Sequence, residues 1–412
     1  MRYLTSPFAC LNYAQFLAAI NENLYKLLTA FFLIEYMGEE HTNMIMSVIG
    51  ALFILPFLLF SSVGGILADR WPKNRIIYVT RICELGTMLM AFFIFGLPLT
   101  YGAYILLFVM SSLAAIFGPA KYGAIPELLD KKKILFGNSV IAAFTYLGII
   151  LGTALASFAV WATHSNFVLC ILFTVLFAAI GTLISFFIPK TPVKNSTKRF
   201  RLFVYAELWD ALKQMWTIPS MIGATFAFSY FLFIGGFLQL NLIPYAIQDL
   251  RLTDIYGGYF FLVVALGLGL GAFLTNKISK GKILLSMVPF SGVGISCVLF
   301  LMKWVYTPWW LILAWMFILG VFGGMFLVPP QAYIIAASPE KDRGRNFATA
   351  NFFSFVFAFL AAIALYILNV LLKLTPSNSL FIIAIMNLVI MVILTWRTKW
   401  LTGRLKQDNQ KT

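Results

Sequence analysis

The 412-residue chain is 61% hydrophobic and only 11% charged, with a mean hydropathy of +0.91. A water-soluble globule of this length could not hide that much apolar surface, so a soluble fold is excluded. The net charge of +15 does not indicate a nucleic-acid partner, because the basic residues sit in short segments between long apolar runs.

Apolar runs of about 20 residues predict helices that cross a bilayer, and about twelve are read along the chain. The first, 9–35, is too long for a secretion signal and carries Glu22 and Lys26, so it counts as a span. The next two, 43–67 and 76–97, flank the basic loop Gly64–Arg75, GGILADRWPKNR. Spans at 102–120, 134–161 and 167–188 follow. The longest polar interruption, 190–218, holds Pro192 and the basic residues Lys190, Lys194, Lys198, Arg199, Arg201 and Lys213. It ends in an amphipathic piece with Trp209, Leu212 and Trp216, expected to lie on the cytoplasmic leaflet; the alternative is that 205–216 extends the seventh span. Spans at 219–246, 256–276, 283–302, 309–335, 346–372 and 377–396 complete the count. The expected organisation is a six-helix bundle at 1–189, a cytoplasmic linker with an interfacial helix at 190–218, a second six-helix bundle at 219–398 and a cytoplasmic tail at 399–412.

Numbering the loops alternately places all but four of the 30 Lys and Arg on one side. The exceptions are Arg251, Lys303 and Lys373 on the other side and Lys26 inside a span. Positively charged loops stay in the cytoplasm, so both termini and the linker are expected there. Cys10, Cys83, Cys170 and Cys297 all fall in apolar runs without close spacing and read as small buried hydrophobes. His41 and His164 fall in loops and read as solvated. No metal site and no cofactor is expected.

The two halves resemble each other. Gly64–Arg75 can be laid on Gly271–Lys282, GAFLTNKISKGK, and Pro119–Tyr122 on Pro330–Tyr333. Paired six-span halves point to a secondary transporter with a site near mid-membrane. No P-loop pattern appears, so direct drive by ATP is not expected, and neither is enzymatic activity.

The spaced residues Gly65, Leu67, Asp69, Arg70, Lys73 and Arg75 resemble the signature loop of the major facilitator superfamily, with Pro72 where that family usually has Gly. The resemblance covers the whole chain and implies an all-α membrane protein, with twelve transmembrane helices in two pseudo-symmetric six-helix bundles. Two stretches narrow it: Gln15–Asn23, QFLAAINEN, and Phe117–Glu127, FGPAKYGAIPE, resemble bacterial lysophospholipid transporters. That branch implies flipping of lysophospholipids, mainly lysophosphatidylethanolamine, across the inner membrane by alternating access, for re-acylation by a separate acyltransferase. Two other readings stay open: a proton-coupled transporter of another hydrophobic solute such as a drug or siderophore, and a lipid-interacting scaffold without transport.

Ionisable groups within a span are costly and usually line a cavity. Asn12, Gln15, Glu22 and Lys26 share one helical face, flanked by Asn23, and Glu22 and Lys26 are spaced to pair. Either a water-filled wall that meets a headgroup or a structural polar seam fits this pattern. Asn138, Thr145 and Gly152 recur every seven residues in the fifth span, as cavity lining or as helix contacts. Gln239 and Asn241 lie beside Gly235-Gly236, where a helix can bend or unwind. Gln331 and Tyr333 follow Pro329-Pro330, expected to break a helix. Lys121 suits a phosphate or snorkels to the leaflet. Arg81 and Glu84 are expected to pair near the surface as a structural feature. The resemblance assigns Asp69, Arg70, Lys73 and Arg75 to gating, as a latch on the cytoplasmic side.

Overall fold

The computed structural model describes residues 6–130, 133–191, 205–218, 220–279, 283–304, 309–339 and 343–408. Thirteen helices follow in order: α1 Pro7–Met37, α2 Thr42–Arg70, α3 Lys73–Gly96, α4 Thr100–Leu128, α5 Ile134–Ala162, α6 Phe167–Ser185, α7 Tyr205–Thr217, α8 Met221–Pro244, α9 Ile255–Ser279, α10 Met287–Trp304, α11 Trp309–Ala337, α12 Arg343–Leu365 and α13 Pro376–Asp408. Every helix except α7 contains a stretch long and apolar enough to cross a bilayer, which makes twelve. Large side chains such as Phe93, Tyr101, Leu183, Phe273 and Phe290 lie exposed along these helices. Water would penalise such a surface; acyl chains do not.

Local signals set several helix ends. Ser6 caps α1 by accepting from the Ala9 amide at 3.2 Å, with Pro7 at the first helical position, where its missing N–H costs nothing. Gly38 ends α1 at φ +96°, donating its N–H to Ile34 O at 2.9 Å in a conformation that a side chain would strain. Asn166 caps α6 through Leu169 N.

Several expected boundaries move. The segment Gly64–Arg75 is mostly helical: α2 runs through Arg70, only Trp71 and Pro72 intervene, and α3 begins at Lys73. Pro72 serves as the residue before α3, with its carbonyl accepting from Arg75 and Ile76. The fourth span continues to Leu128 through Pro119 and Pro126, so Lys121 is a helical residue and not a loop residue. Pro329-Pro330 does not break α11, and Gly235-Gly236 does not unwind α8. Prolines persist in such helices because neighbouring helices and local adjustments re-satisfy the freed carbonyls. The amphipathic piece is a helix of its own, ending at Thr217, and Ser220, just before α8, takes φ +62°. Trp209 and Trp216 are exposed while Ala211 and Met215 are buried.

Contacts divide the chain into two compact units, Met1–Val204 and Tyr205–Thr412. In the first, α1 packs on α5, α6 and α4, α2 on α4, and α3 on α4 and α6. In the second, α8 packs on α12 and α11, α9 on α11, and α10 on α11 and α13. Each pairing except that of α1 with α6 recurs one half-chain later, which is the repeat seen in the sequence. Gly64 lies against the backbone of Ile116 on α4, and Gly271 against that of Val321 on α11. The helix α1 is the innermost of its unit, with 89% of its apolar window buried, and α8 is its counterpart at 67%.

Of the cysteines only Cys170 is buried; Cys83 and Cys297 are exposed and Cys10 is intermediate, because half of each outer helix faces outward. His41 and His164 lie exposed in turns, as expected.

Candidate functional site

The polar face of α1 organises the first unit. Gln15 is buried and joins three helices. Its amide nitrogen donates to Asn12 Oδ1 at 3.1 Å and to Ile141 O of α5 at 3.3 Å. Its carbonyl oxygen accepts from Thr145 Oγ1 of α5 at 2.9 Å and from Lys121 Nζ of α4 at 3.5 Å. Asn12, Gln15, Thr145 and Lys121, four of the candidates picked from the sequence, therefore converge. Lys121 turns inward and also stands 5.2 Å from the Tyr122 ring centroid. The side chain of Asn23 is spent on its own helix, donating to Ala19 O at 2.9 Å.

The heptad of α5 divides its labour. Gly152, like Gly148, is a contact residue: a Cβ on Gly152 would fall 2.3 Å from Ile20 O. Thr145 joins the Gln15 cluster, and Asn138 is half-buried one heptad earlier.

Glu22 lies two turns further along α1, half-buried. The ion pair expected between Glu22 and Lys26 does not form. Lys26 instead reaches α2, where its ammonium stands 4.5 Å from the centroid of Phe53. Among the described residues the Glu22 carboxylate makes no ion pair and no hydrogen bond. The charged groups around it are Arg81, Glu84, Lys121 and Lys26.

Arg81 and Glu84 do pair, at 2.5 Å, but not near the surface, since each is only 2% exposed. Asn21 of α1 donates to Glu84 Oε1 at 2.7 Å, and Arg81 lies 4.7 Å from the ring centroid of Phe117 on α4. The i, i+3 spacing signalled the pair, whereas nothing in the sequence pointed to Asn21. Arg81 also leaves the tally of loop charges, because it is an internal residue of the bundle.

Among the gating candidates, Lys73 is buried and pairs with Glu127 at 2.5 Å, linking the start of α3 to the end of α4. Glu127 closes the Phe117–Glu127 stretch. Arg75 is exposed, 5.5 Å from the Trp71 ring centroid. Arg70 is half-buried. The side chain of Asp69 lies outside the described residues.

In the second unit Gln239, Gln331 and Tyr333 are half-buried on α8 and α11. Asn241 is fully buried and committed to packing. It donates to Pro376 O at 3.0 Å and accepts from Asn369 Nδ2 at 2.8 Å, while Ser379 donates to Asn369 Oδ1. This clamp ties α8 and α13 to the π-helical turn Tyr366–Leu371 that extends α12.

Residues 11–304 and 258–410 match the Major Facilitator Superfamily. A protein named lysophospholipid transporter LplT from Photorhabdus laumondii subsp. laumondii is 25% identical over 352 residues, covering 84% of each chain. Its namesake from an Enterobacter species is 25% identical over 343 residues, covering 81% of this chain and 79% of that one. Among solved structures, a POT family transporter in complex with a thioalcohol-conjugated peptide superposes with a TM-score of 0.74 at 13% identity, over 96% of each chain. A bacterial homologue of the human lysosomal transporter Spinster, inward-facing and unoccupied, gives 0.66 at 13% identity, over 94% of this chain and 95% of that one. The structural likenesses concern the fold alone.

Proposed function

Because the chain belongs to the Major Facilitator Superfamily, and is a transporter of that type, we propose that its cargo is a lysophospholipid, foremost lysophosphatidylethanolamine, moved by alternating access. The observation that carries this reading is Glu22: a half-buried carboxylate without an ion partner, on the innermost helix of its unit, with two lysines acting on it. Such a group costs free energy in an apolar bundle unless something uses it. A zwitterionic headgroup does so in two parts. Its ammonium goes to Glu22 and its phosphate to Lys121, a compact donor for phosphoryl oxygens. Gln15, itself bonded to Asn12 and Thr145, holds Lys121 in place, and Asn23 and Lys26 flank the site. Half-buried rings such as Phe16 and Phe144, 5.3 Å apart, offer apolar surface for the acyl chain. The relatives named lysophospholipid transporters support this cargo.

Asn138 joins the proposed lining of the first unit, Gln239, Gln331 and Tyr333 are the proposed cargo contacts of the second, and Asn241 is left to the fold. Asp69, Arg70, Lys73 and Arg75 form the proposed cytoplasmic latch, with Glu127 as the partner of Lys73. The site of action is a bacterial inner membrane with both termini in the cytoplasm, following the distribution of Lys and Arg. A lysophospholipid delivered there needs an acyl donor and a separate acyltransferase to become a bilayer lipid again.

Headgroup-resolved flux in proteoliposomes tests the reading. The wild-type protein is expected to move lysophosphatidylethanolamine. E22Q and K121A are each expected to cut that flux at least about tenfold at normal expression, the effect of losing one charge-assisted hydrogen bond. No flux by the wild type would overturn the cargo, and wild-type flux in both variants would remove the site. Flux of other hydrophobic solutes that collapses with a protonophore would favour a proton-coupled transporter instead.

A further inference from the structure

Lys26 differs from three other cations of the first unit. Lys73 pairs with Glu127, Arg81 pairs with Glu84, and Lys121 bonds Gln15. Lys26 is only 8% exposed, yet among the described residues its ammonium makes no ion pair and no hydrogen bond. What it meets is the ring of half-buried Phe53 on α2, 4.5 Å from ammonium to centroid. A ring face offsets part of the cost of desolvating a cation. It does not replace the oxygen acceptors that three N–H donors lose on leaving water.

Position gives this lysine a consequence. Lys26 is rooted one turn from Glu22, and side chains four apart on a helix have Cβ atoms about 5–6 Å apart. Lys121 is tied to Gln15, which lies seven residues from Glu22 in the other direction, or about 10 Å along the axis of α1. The carboxylate therefore stands between two cations along the helix. A phosphoethanolamine headgroup carries an ammonium and a phosphate joined by a short arm. That is the charge complement of a carboxylate and an ammonium one turn apart. With its ammonium on Glu22 it has one phosphate for two lysines, so the row offers two registers.

We propose that Lys26 is a second phosphate-binding residue: the headgroup keeps its ammonium on Glu22 while its phosphate passes between Lys26 and Lys121. The inference rests on Glu22 and Lys121 holding the headgroup. It adds a station on the side of Glu22 toward which α1 ends, the periplasmic side in the proposed orientation. Phe53 has a part in this. Its ring draws the ammonium toward α2 and gives it up to cargo, because a phosphate oxygen is a stronger partner than a ring face.

Flux and binding by the full-length protein test this together. Serial stations have a signature that a single site lacks: flux needs both, whereas binding survives on whichever remains. In proteoliposomes K26M is expected to lower lysophosphatidylethanolamine flux at least about tenfold, the effect of losing one charge-assisted hydrogen bond. In phosphatidylcholine nanodiscs, lysophosphatidylethanolamine is expected to bind K26M/K121A at least about tenfold more weakly than either single variant. Dodecylammonium, a single-chain amine without phosphate, is the control. K26M is expected to bind it at least as tightly as the wild type does, because a repelling cation is gone, and E22Q more weakly. A merely structural lysine would lower the binding of both probes together. K26M is also expected to melt no lower than the wild type in detergent, since it removes a buried charge without a counter-ion. Wild-type flux in K26M, a double variant that binds no worse than the singles, parallel loss of both probes, or a lowered melting temperature would each overturn the proposal. Should K26M fail to insert, K26Q is held to the same outcomes. Wild-type flux in both E22Q and K121A would sink the underlying site, whereas wild-type flux in K26M alone would sink only the second station.

Discussion

Single side chains show how far spacing reaches. The steps between Asn12, Gln15, Glu22 and Lys26 place them on one face of α1, and the structure keeps them there. Which of them touch is another matter. Glu22 and Lys26 are four apart, yet the lysine extends to Phe53, where its ammonium meets the electron-rich face of a ring. Gln15 bonds α4 and α5 through residues more than 100 positions away, which no local pattern encodes. The Lys73–Glu127 pair is of the same kind, joining two stretches noticed separately. Both side chains are almost fully buried, at 4% and 8% exposure, so removing one partner strands a charge. K73M is expected to cost about 3–5 kcal/mol, whereas K73M/E127L, which removes both charges, is expected to cost markedly less. Thermal unfolding in detergent measures the difference. Equal losses in the two variants would show that the pair is not what holds these helix ends together.

At the scale of helices, hydropathy located every span, because burial in lipid demands a continuous apolar run of fixed length. It misplaced several ends. The fourth span runs on to Leu128 through PAKYGAIPE, and the second through Arg70, since polar residues at a membrane surface can continue a helix whose apolar part is over. How the helices meet was less legible. The crossing of α9 and α11 depends on Gly267 and Gly271 facing Gly320 and Gly324. A Cβ on Gly271 would lie 2.0 Å from Val321 O, and one on Gly320 2.0 Å from Val264 O. Without a hydrophobic force between helices in lipid, such close backbone approach supplies the packing. G271A is expected to cost about 1–3 kcal/mol by overpacking and to yield aggregated protein in size-exclusion chromatography. G269A, whose Cβ would meet nothing within 4 Å, is expected to behave as wild type. A monodisperse G271A would mean that the two helices can part without harm.

For the molecule as a whole, the repeat at Gly64 and Gly271 anticipated two units with matching packing order. The match has one conspicuous gap: α1 packs extensively along α6, whereas α8 barely touches α13. The first unit also carries the ionisable cluster, Glu22, Lys26, Arg81, Glu84 and Lys121, while the polar groups of the second are mostly uncharged amides and hydroxyls. Related halves have thus taken different chemistry. Orientation is open to direct measurement. In a background with the four cysteines replaced, Lys133 and His164, both exposed at opposite ends of α5, are converted singly to cysteine. A membrane-impermeant maleimide is expected to label H164C in spheroplasts and K133C only after permeabilisation. The reverse pattern would turn the proposed topology over.

From the residues alone came the twelve spans, the duplication and the face of α1 that carries polar groups. All of these are decided by transfer between water and lipid, which depends on composition within a window and on helical periodicity, and both can be read along a line. Only the folded chain decided that Arg81 belongs to the interior, that Asn21 and not Lys26 completes the charge network, and that Glu22 is left without an ion partner. Those outcomes turn on Coulombic and hydrogen-bond contacts, which fall off within a few ångströms and join residues from helices far apart in the chain.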